Sequence, residues 1–387
     1  MSRLSFLLGA ATIALASTSL MASSASAQSK SKFDVLVGGD AYFEAGIVNQ
    51  DRDGGLRSTE FRNRLRLTVT PTAKADNGLE YGARLRFGTD TPASNRVTVA
   101  DRAFIFANGA FGAVSLGQVN GLSDEYGIFA PSDWGTGGVD GSFGAYLGNS
   151  GANAPVTIGN IRTLISGNSG TRAIYVTPTI AGFRLGATYQ PASDSVNTDV
   201  NRLKTATPNG LFTGAYRDVY EVGGNYAGTF GGVTVGADLY YLGGKAKNAA
   251  TTAVTYEDLS SVNAGLSVSY AGLKVAGSYA WSGDSGYAKR SAVPTATSRE
   301  KQDVWTLGAQ YTFGPTTVGA GYMNAKDAGS LTVAGKTKFE LYTIGAKYVI
   351  APGFAVGPEY NHFKLSSDVA ANSDKGDIFL VQTNLAF

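Results

Sequence analysis

Residues 35–47 decide the fold, and they read VLVGGDAYFEAGI. The odd-numbered positions are apolar or small: Val35, Val37, Gly39, Ala41, Phe43, Ala45 and Ile47. Polar residues occupy the intervening positions or immediately precede the stretch: Asp34, Asp40, Tyr42 and Glu44. Successive side chains of a β-strand point to opposite faces, so this stretch predicts a strand with one apolar face and one polar face.

The same alternation recurs along the chain. The runs that show it are Phe61–Val69, Leu79–Phe87, Val233–Tyr241, Val262–Tyr270, Leu273–Trp281, Trp305–Phe313 and Tyr342–Ile350. Each run is long enough for a tilted membrane strand of about 9–11 residues. Tyr, Phe and Trp stand mostly at the ends of the runs, as in the aromatic girdles of membrane barrels, whereas a soluble sandwich scatters its aromatics through a core.

The connections between runs alternate between short and long. Short turns are predicted at Asn108-Gly109, Gly231-Gly232, Ala271-Gly272, Gly314-Pro315 and Pro352-Gly353, and longer polar stretches separate them. This rhythm is typical of outer-membrane barrels, which have short periplasmic turns and long external loops. About sixteen strands can be counted, enough to close around an aqueous lumen rather than a filled core. We therefore predict an all-β fold, a closed antiparallel transmembrane barrel.

The chain begins with the features of a secretory signal peptide. Arg3 precedes an apolar stretch from Leu4 to about Ala16, and Ala25-Ser26-Ala27 forms a small-residue cleavage site. A membrane anchor is the weaker alternative, because this stretch is short and rich in Ser and Ala. We expect residues 1–27 to be removed and residues 28–387 to form one barrel domain. The mean hydropathy of −0.04 and the lack of a second long apolar run argue against a helical membrane protein, and the absence of Cys suits an exported barrel.

Three segments resemble the general porins of Gram-negative bacteria, and among these the chain is most similar to the alphaproteobacterial type. The chain ends in an aromatic residue, Phe387, on the face shared by Phe379, Val381 and Leu385. Residues 104–118, FIFANGAFGAVSLGQ, are similar to the family's strand-turn-strand signature, although Gln118 stands where the family has Arg. Residues 168–178, NSGTRAIYVTP, look like the segment that follows it.

The resemblance implies an outer-membrane channel through which small hydrophilic solutes and ions diffuse passively. It also implies a homotrimer in contact with outer-membrane lipid and lipopolysaccharide, with Gly39, Ala41 and Ala45 as candidate subunit contacts. The terminal Phe387 would be the signal for barrel assembly. No enzymatic activity and no cofactor are implied.

The longest stretch without alternation, Asn120 to Ser169, is the candidate for a constriction loop. Loops of such length in compact proteins are usually functional or disordered. The resemblance implies that it folds into the barrel, so that its carboxylates line the narrowest part of the pore: Asp124, Glu125, Asp133 and Asp140.

An arginine row would stand opposite these carboxylates. Its members lie on the polar faces of two neighbouring predicted strands: Arg62, Arg64, Arg66, Arg84 and Arg86. Five clustered guanidinium groups repel one another unless water or carboxylates compensate, and a lumen offers both. The alternative is the solvated face of an ordinary sheet.

Other motifs carry little chemistry. Residues 49–60 approach a calcium-loop pattern, but Asn49 replaces the first Asp and no helix flanks the loop. His362 is the single histidine, so it offers little for catalysis or metal binding, and we place it at the girdle end of a strand. Gly135 to Gly138 lacks the Lys-Ser/Thr ending of a phosphate loop.

The formal net charge of the chain is +2, of which Arg3 contributes one, and this small charge does not indicate a nucleic acid as partner.

Two other functions remain open from the sequence. One is a substrate-specific outer-membrane channel, which aromatic or lysine ladders in the lumen would favour. The other is a surface adhesin or structural barrel that does not conduct.

Overall fold

A computed structural model describes residues 32–89, 99–168, 170–205, 214–248, 254–289, 299–332 and 335–387. These residues form sixteen strands in one closed barrel, in which every neighbouring pair is antiparallel. The strands are β1 (Asp34–Gln50), β2 (Thr59–Lys74), β3 (Glu80–Gly88), β4 (Val99–Gly109), β5 (Gly112–Val119), β6 (Gly170–Val176), β7 (Phe183–Ala192), β8 (Tyr216–Phe230), β9 (Val233–Ala246), β10 (Leu259–Tyr270), β11 (Leu273–Gly283), β12 (Gln302–Phe313), β13 (Thr316–Asp327), β14 (Thr337–Ala351), β15 (Phe354–Ser367) and β16 (Asp374–Ala386). The predicted fold class and strand number are confirmed.

The barrel closes between its first and last strands. Ala41 lies opposite Leu385, and Phe43 lies opposite Thr383. Beyond the end of β16, the Phe387 amide donates to the Gly39 carbonyl at 3.0 Å, and the Gly39 amide donates to the Phe387 carbonyl at 2.8 Å. A closed ladder leaves no strand edge with unpaired backbone groups, which a barrel in hydrocarbon requires.

The alternation read from the sequence separates the outside of the barrel from its inside. Outward side chains such as Phe43, Leu239 and Leu266 are exposed by 51%, 60% and 66%, whereas inward Glu44 and Tyr240 are buried. Apolar side chains directed outward suit a hydrocarbon surrounding. Within the described ranges, no helix has the length and apolarity needed to cross a bilayer.

Short turns lie at one end of the barrel and longer connections at the other. Four of the five predicted turns lie where expected, and at Gly231-Gly232 both residues adopt positive φ (57° and 84°), which favours glycine in a tight hairpin. The turn predicted at Asn108-Gly109 is wrong by two residues. These residues end β4, Gly109 pairs with Gly112, and Ala110-Phe111 makes the turn.

Candidate functional site

The connection between β5 and β6 lies inside the barrel. It begins at Asn120, contains the short helix α1 (Leu122–Tyr126), and continues through 3-10 turns at Gly138–Asp140, Ser142–Tyr146, Gly148–Asn153 and Val156–Gly159. We call residues 120–168 the inner loop. Its backbone groups cannot all bond within such short turns, so the barrel wall must supply partners.

A buried glutamate on β8 holds the two ends of the inner loop together. Glu221 accepts the backbone N–H groups of Leu122 and Ser123 at 2.6 and 3.0 Å, near the start of the loop. The same carboxylate accepts the hydroxyls of Thr163 and Ser166, near its end, at 2.8 and 3.2 Å. Charge-assisted bonds of this kind are stronger than neutral ones, so Glu221 fixes the base of the loop.

A second buried glutamate holds the middle of the loop against β15. Glu359 accepts the N–H groups of Thr136 and Gly138 at 2.7 and 3.0 Å and the Thr136 hydroxyl at 2.8 Å. Beside it, Trp134 packs against Gly319 of β13, where an added Cβ would lie 2.0 Å from the indole nitrogen. A residue other than glycine at 319 would therefore displace the Trp134 ring.

Three more wall carboxylates accept hydrogen bonds from the inner loop. Asp238 accepts the N–H of Ile128 at 2.7 Å, Asp327 accepts the N–H of Val156 at 2.9 Å, and Asp374 bonds the Ser150 hydroxyl. The carboxylates of this half of the wall are therefore occupied by the loop.

The inner loop also has an apolar contact with the wall. Phe143 stacks on Phe339 of β14 with ring centroids 6.0 Å apart, and Phe339 stacks in turn on Phe363. Ile378 and Leu380 of β16 belong to the same buried cluster. Burial of these side chains contributes a stabilisation that does not depend on charge.

The hydrogen bonds named so far attach the loop to one part of the wall. Its hydrogen bonds to the wall described above end on β8, β9, β13, β15 and β16, whereas β2 and β3 carry the arginine row. The space between the loop and β2–β4 is therefore the candidate passage through the barrel.

The arginines of this wall are paired mainly with carboxylates of the wall itself. Arg64 and Arg66 contact Asp40 of β1 at 3.1 and 3.0 Å. Arg86 makes two bonds of 2.8 and 2.6 Å to Asp101 of β4. The pairs lie side by side on neighbouring strands, so they need no contribution from the inner loop.

Three further arginines lie over aromatic rings. The guanidinium carbon of Arg62 is 5.7 Å from the centre of the Tyr42 ring. That of Arg84 is 5.8 Å from the Phe104 ring. Arg184 of β7 lies 4.4 Å from the ring of Tyr126 in α1. Cation–π contacts hold a guanidinium group in place without cancelling its charge.

The four predicted carboxylates of the loop have partners other than the predicted arginines. Asp124 and Asp140 both contact Arg162 of the loop itself, at 2.6 and 3.0 Å. Glu125 pairs with Arg102 of β4 at 3.1 Å. Asp133 accepts a bond of 3.1 Å from Gln310 of β12. These contacts are made to Arg162, Arg102 and Gln310, so none of them joins a loop carboxylate to the predicted arginine row.

Sequence reasoning missed several charged residues of the site. Asp101 and Arg102 follow one another in the chain, yet each contacts an inward-facing partner. The register of β3 and β4 shifts at this point, between Arg86 and Phe87. A β-bulge lets two consecutive side chains share one face, so strict alternation could not have found both. Arg162 was missed because it lies in the loop, where no periodicity applies.

The calcium-like segment 49–60 and His362 make ion pairs and hydrogen bonds with neighbouring side chains. In the calcium-like segment, Glu60 pairs with Arg57, and Lys375 lies 3.8 Å from Asp51. His362 lies on the outer face of β15, as predicted, with its Nδ1 2.8 Å from Asp377. Among the described residues, no three His, Cys, Asp or Glu side chains are grouped as metal ligands.

Comparison with known proteins agrees with this architecture. The family described as Gram-negative porin matches residues 11–368. A porin of Fuscovulum blasticum is 26% identical over 271 residues, covering 68% of this chain and 85% of that protein.

Solved structures agree on the fold. A mutant of the Rhodopseudomonas blastica porin superposes with a TM-score of 0.58 at 18% identity, covering 92% of this chain and all of that one. A triple mutant of the same porin gives 0.56 at 18% identity with the same coverage. The resemblance to alphaproteobacterial porins is thus confirmed. The chain belongs to the Gram-negative porin family, and it is a multi-pass β-barrel that forms a channel in the outer membrane.

Proposed function

We propose that the space between the inner loop and the wall of β2–β4 is the constriction of this channel, through which small hydrophilic solutes and ions diffuse passively. The observation that carries the proposal is the fixation of the loop by buried carboxylates of β8, β9, β13, β15 and β16, whereas no hydrogen bond or ion pair named above joins it to β2 or β3. Glu221 and Glu359 hold it at its base and its middle. A loop fixed in this way narrows the lumen without closing it.

In this proposal the arginine row forms one side of the constriction and the inner loop the other. Arg62, Arg64, Arg66, Arg84 and Arg86 point into the lumen, and Asp124, Glu125, Asp133 and Asp140 belong to the loop that faces them. Fixed charges at a narrow point admit solutes that keep their hydration or replace it with polar contacts, and they disfavour apolar solutes. Transport then involves no chemical step, no enzymatic role and no cofactor.

The biological form we propose is a homotrimer of the mature chain, residues 28–387, embedded in outer-membrane lipid and lipopolysaccharide. Ala41 and Ala45 remain candidate subunit contacts on the outer face of β1. Gly39 is a poorer candidate, because the Phe387 ring lies over it and an added Cβ would come within 2.8 Å of that ring.

Single-channel recording in planar bilayers tests the constriction. The wild-type protein is compared with a deletion of residues 124–140, which removes Asp124, Asp133 and the contacts to Glu359. We expect the deletion to raise conductance, because an obstacle leaves the lumen, while the barrel still assembles through its closed strand ladder. Equal conductance and equal solute cut-off in the two proteins would contradict the proposed constriction.

A further inference from the structure

Two phenylalanines of β4 face the lumen, although the inner wall of a porin is ordinarily polar. Phe104 and Phe106 lie on the face of β4 opposite to that of Ile105, whose side chain is 59% exposed on the outside of the barrel. Both phenylalanines are half-buried, and their ring centroids are 6.5 Å apart. An uncovered apolar group beside water is the informative exception on a wall of this kind, because its exposure costs free energy.

Packing explains the position of Phe104 but not that of Phe106. Phe104 packs against a buried cluster that includes Leu122 of the inner loop and Ile174 of β6. Among the described residues, Phe106 belongs neither to this cluster nor to the other buried clusters. Its ring lies over Gly82 of β3, where an added Cβ would come within 2.9 Å of the ring atom Cζ. A ring placed over a glycine of the wall has its other face toward the lumen.

A guanidinium group stands beside this free ring face. Arg84 lies directly opposite Phe104 in the strand register, and its guanidinium carbon is 5.8 Å from the centre of that ring. The side chain of Arg84 is exposed, and within the described ranges no carboxylate forms an ion pair with it. Phe106 is its diagonal neighbour on β4, and such neighbours are about 7–8 Å apart, within the reach of long side chains. One small ligand can therefore contact both groups.

Glu80 determines how such a ligand is oriented. It lies on the same face of β3, beyond Gly82 toward the short turns, and it accepts the side-chain amide of Asn108 at 3.2 Å. Its carboxylate repels an anionic group near the turns, whereas Arg84 attracts one on the other side of the Phe106 ring. A ligand whose ring lies on Phe106 therefore directs its carboxylate toward Arg84.

We propose that Phe106 and Arg84 form a lumenal subsite for aromatic carboxylates, in which a planar ring stacks on Phe106 and its carboxylate bonds to the Arg84 guanidinium. The subsite lies on the β2–β4 wall, so it rests on the constriction proposed above. Stacking depends on ring contact rather than on net charge, so the subsite distinguishes solutes of equal charge. One such contact is worth about fivefold in affinity.

Block of the KCl current through single channels in planar bilayers measures this binding. Benzoate and acetate are compared at neutral pH, where both are monovalent anions that differ in the ring. We expect benzoate to reduce the current at a concentration at least about fivefold lower than acetate. Phe106→Leu keeps an apolar side chain without a ring and should abolish most of this difference, whereas Phe106→Tyr keeps the ring and should retain it.

Phe230→Leu is the matched control, because it makes the same substitution on the outer face of β8, where Phe230 is 62% exposed. It should leave the block by benzoate unchanged. Equal block by benzoate and acetate in a wild-type channel that conducts KCl would overturn the subsite and leave the constriction standing. Phe106→Leu channels that keep the wild-type preference for benzoate would also overturn the subsite. A protein that inserts without conducting would overturn the proposed function and the subsite with it.

Discussion

Glu359 fixes the middle of the inner loop, so we predict that neutralising this carboxylate makes the loop more mobile within the channel. We consider Glu359→Gln, which keeps the size and shape of the side chain. The Oε2 atom of Glu359 accepts two backbone N–H groups, and Oε1 accepts the Thr136 hydroxyl and the side-chain amide of Asn361 at 3.0 Å.

The magnitude follows from counting these bonds. Glutamine has one acceptor oxygen, which best serves the two N–H groups of Thr136 and Gly138, and its NH₂ group then faces the Asn361 amide as donor against donor. Two bonds lose charge assistance, at about 1 kcal/mol each, and one is lost, at about 1 kcal/mol more. Docking of the loop segment around Thr136 should weaken by about 3 kcal/mol, on the order of 100-fold in the docking equilibrium.

Single-channel recordings should show this loosening directly. We expect more open-channel noise and brief excursions to higher conductance, together with faster cleavage of the inner loop by added protease. The thermal stability of the barrel should change little, because Glu359 contributes its side chain to the loop and only its backbone to the strand ladder.

Glu340→Gln provides the matched control. Glu340 lies on the outer side of neighbouring β14, where it contacts Lys338 at 2.8 Å rather than the loop. It should leave channel noise and protease resistance at wild-type levels. Identical noise and identical loop cleavage in Glu359→Gln and wild type would refute the anchoring role of Glu359.

Three further predictions concern other parts of the chain. Replacing Arg62, Arg64 and Arg66 by Ser should enlarge the passage and shift selectivity toward cations, seen as a changed reversal potential; an unchanged potential would mean that these side chains lie away from the ion path. Deleting Phe387 should reduce folded protein in the outer membrane without altering the conductance of the molecules that do assemble, so normal surface levels would count against an assembly role. Mass spectrometry of the exported protein should find Gln28 as its first residue, and a retained leader would contradict the predicted cleavage.

The sequence by itself determined the architecture. Alternation with a period of two is a local property that is visible within each strand. In a barrel with a polar lumen, the apolar face of each strand points outward to the hydrocarbon, as Phe43 and Leu266 do. Strand number, the alternation of short and long connections, and the extent of the inner loop along the chain followed from the same pattern, whereas its inward fold was implied only by the resemblance to porins. The inward direction of the arginine row followed too, because the phase of a strand fixes both of its faces.

Tertiary structure decided how the charges are paired. Glu359 meets Thr136 across 223 positions of sequence, and Asp374 meets Ser150 across 224, so no local pattern could indicate these contacts. Ile378 and Leu380 are apolar although they lie on the inner face of β16, because the inner loop covers them. The sequence of β16 alone does not reveal this contact with the loop. The physical reason is that strand phase is set by neighbours along the chain, whereas the partners of a lumenal charge are set by where the inner loop lies.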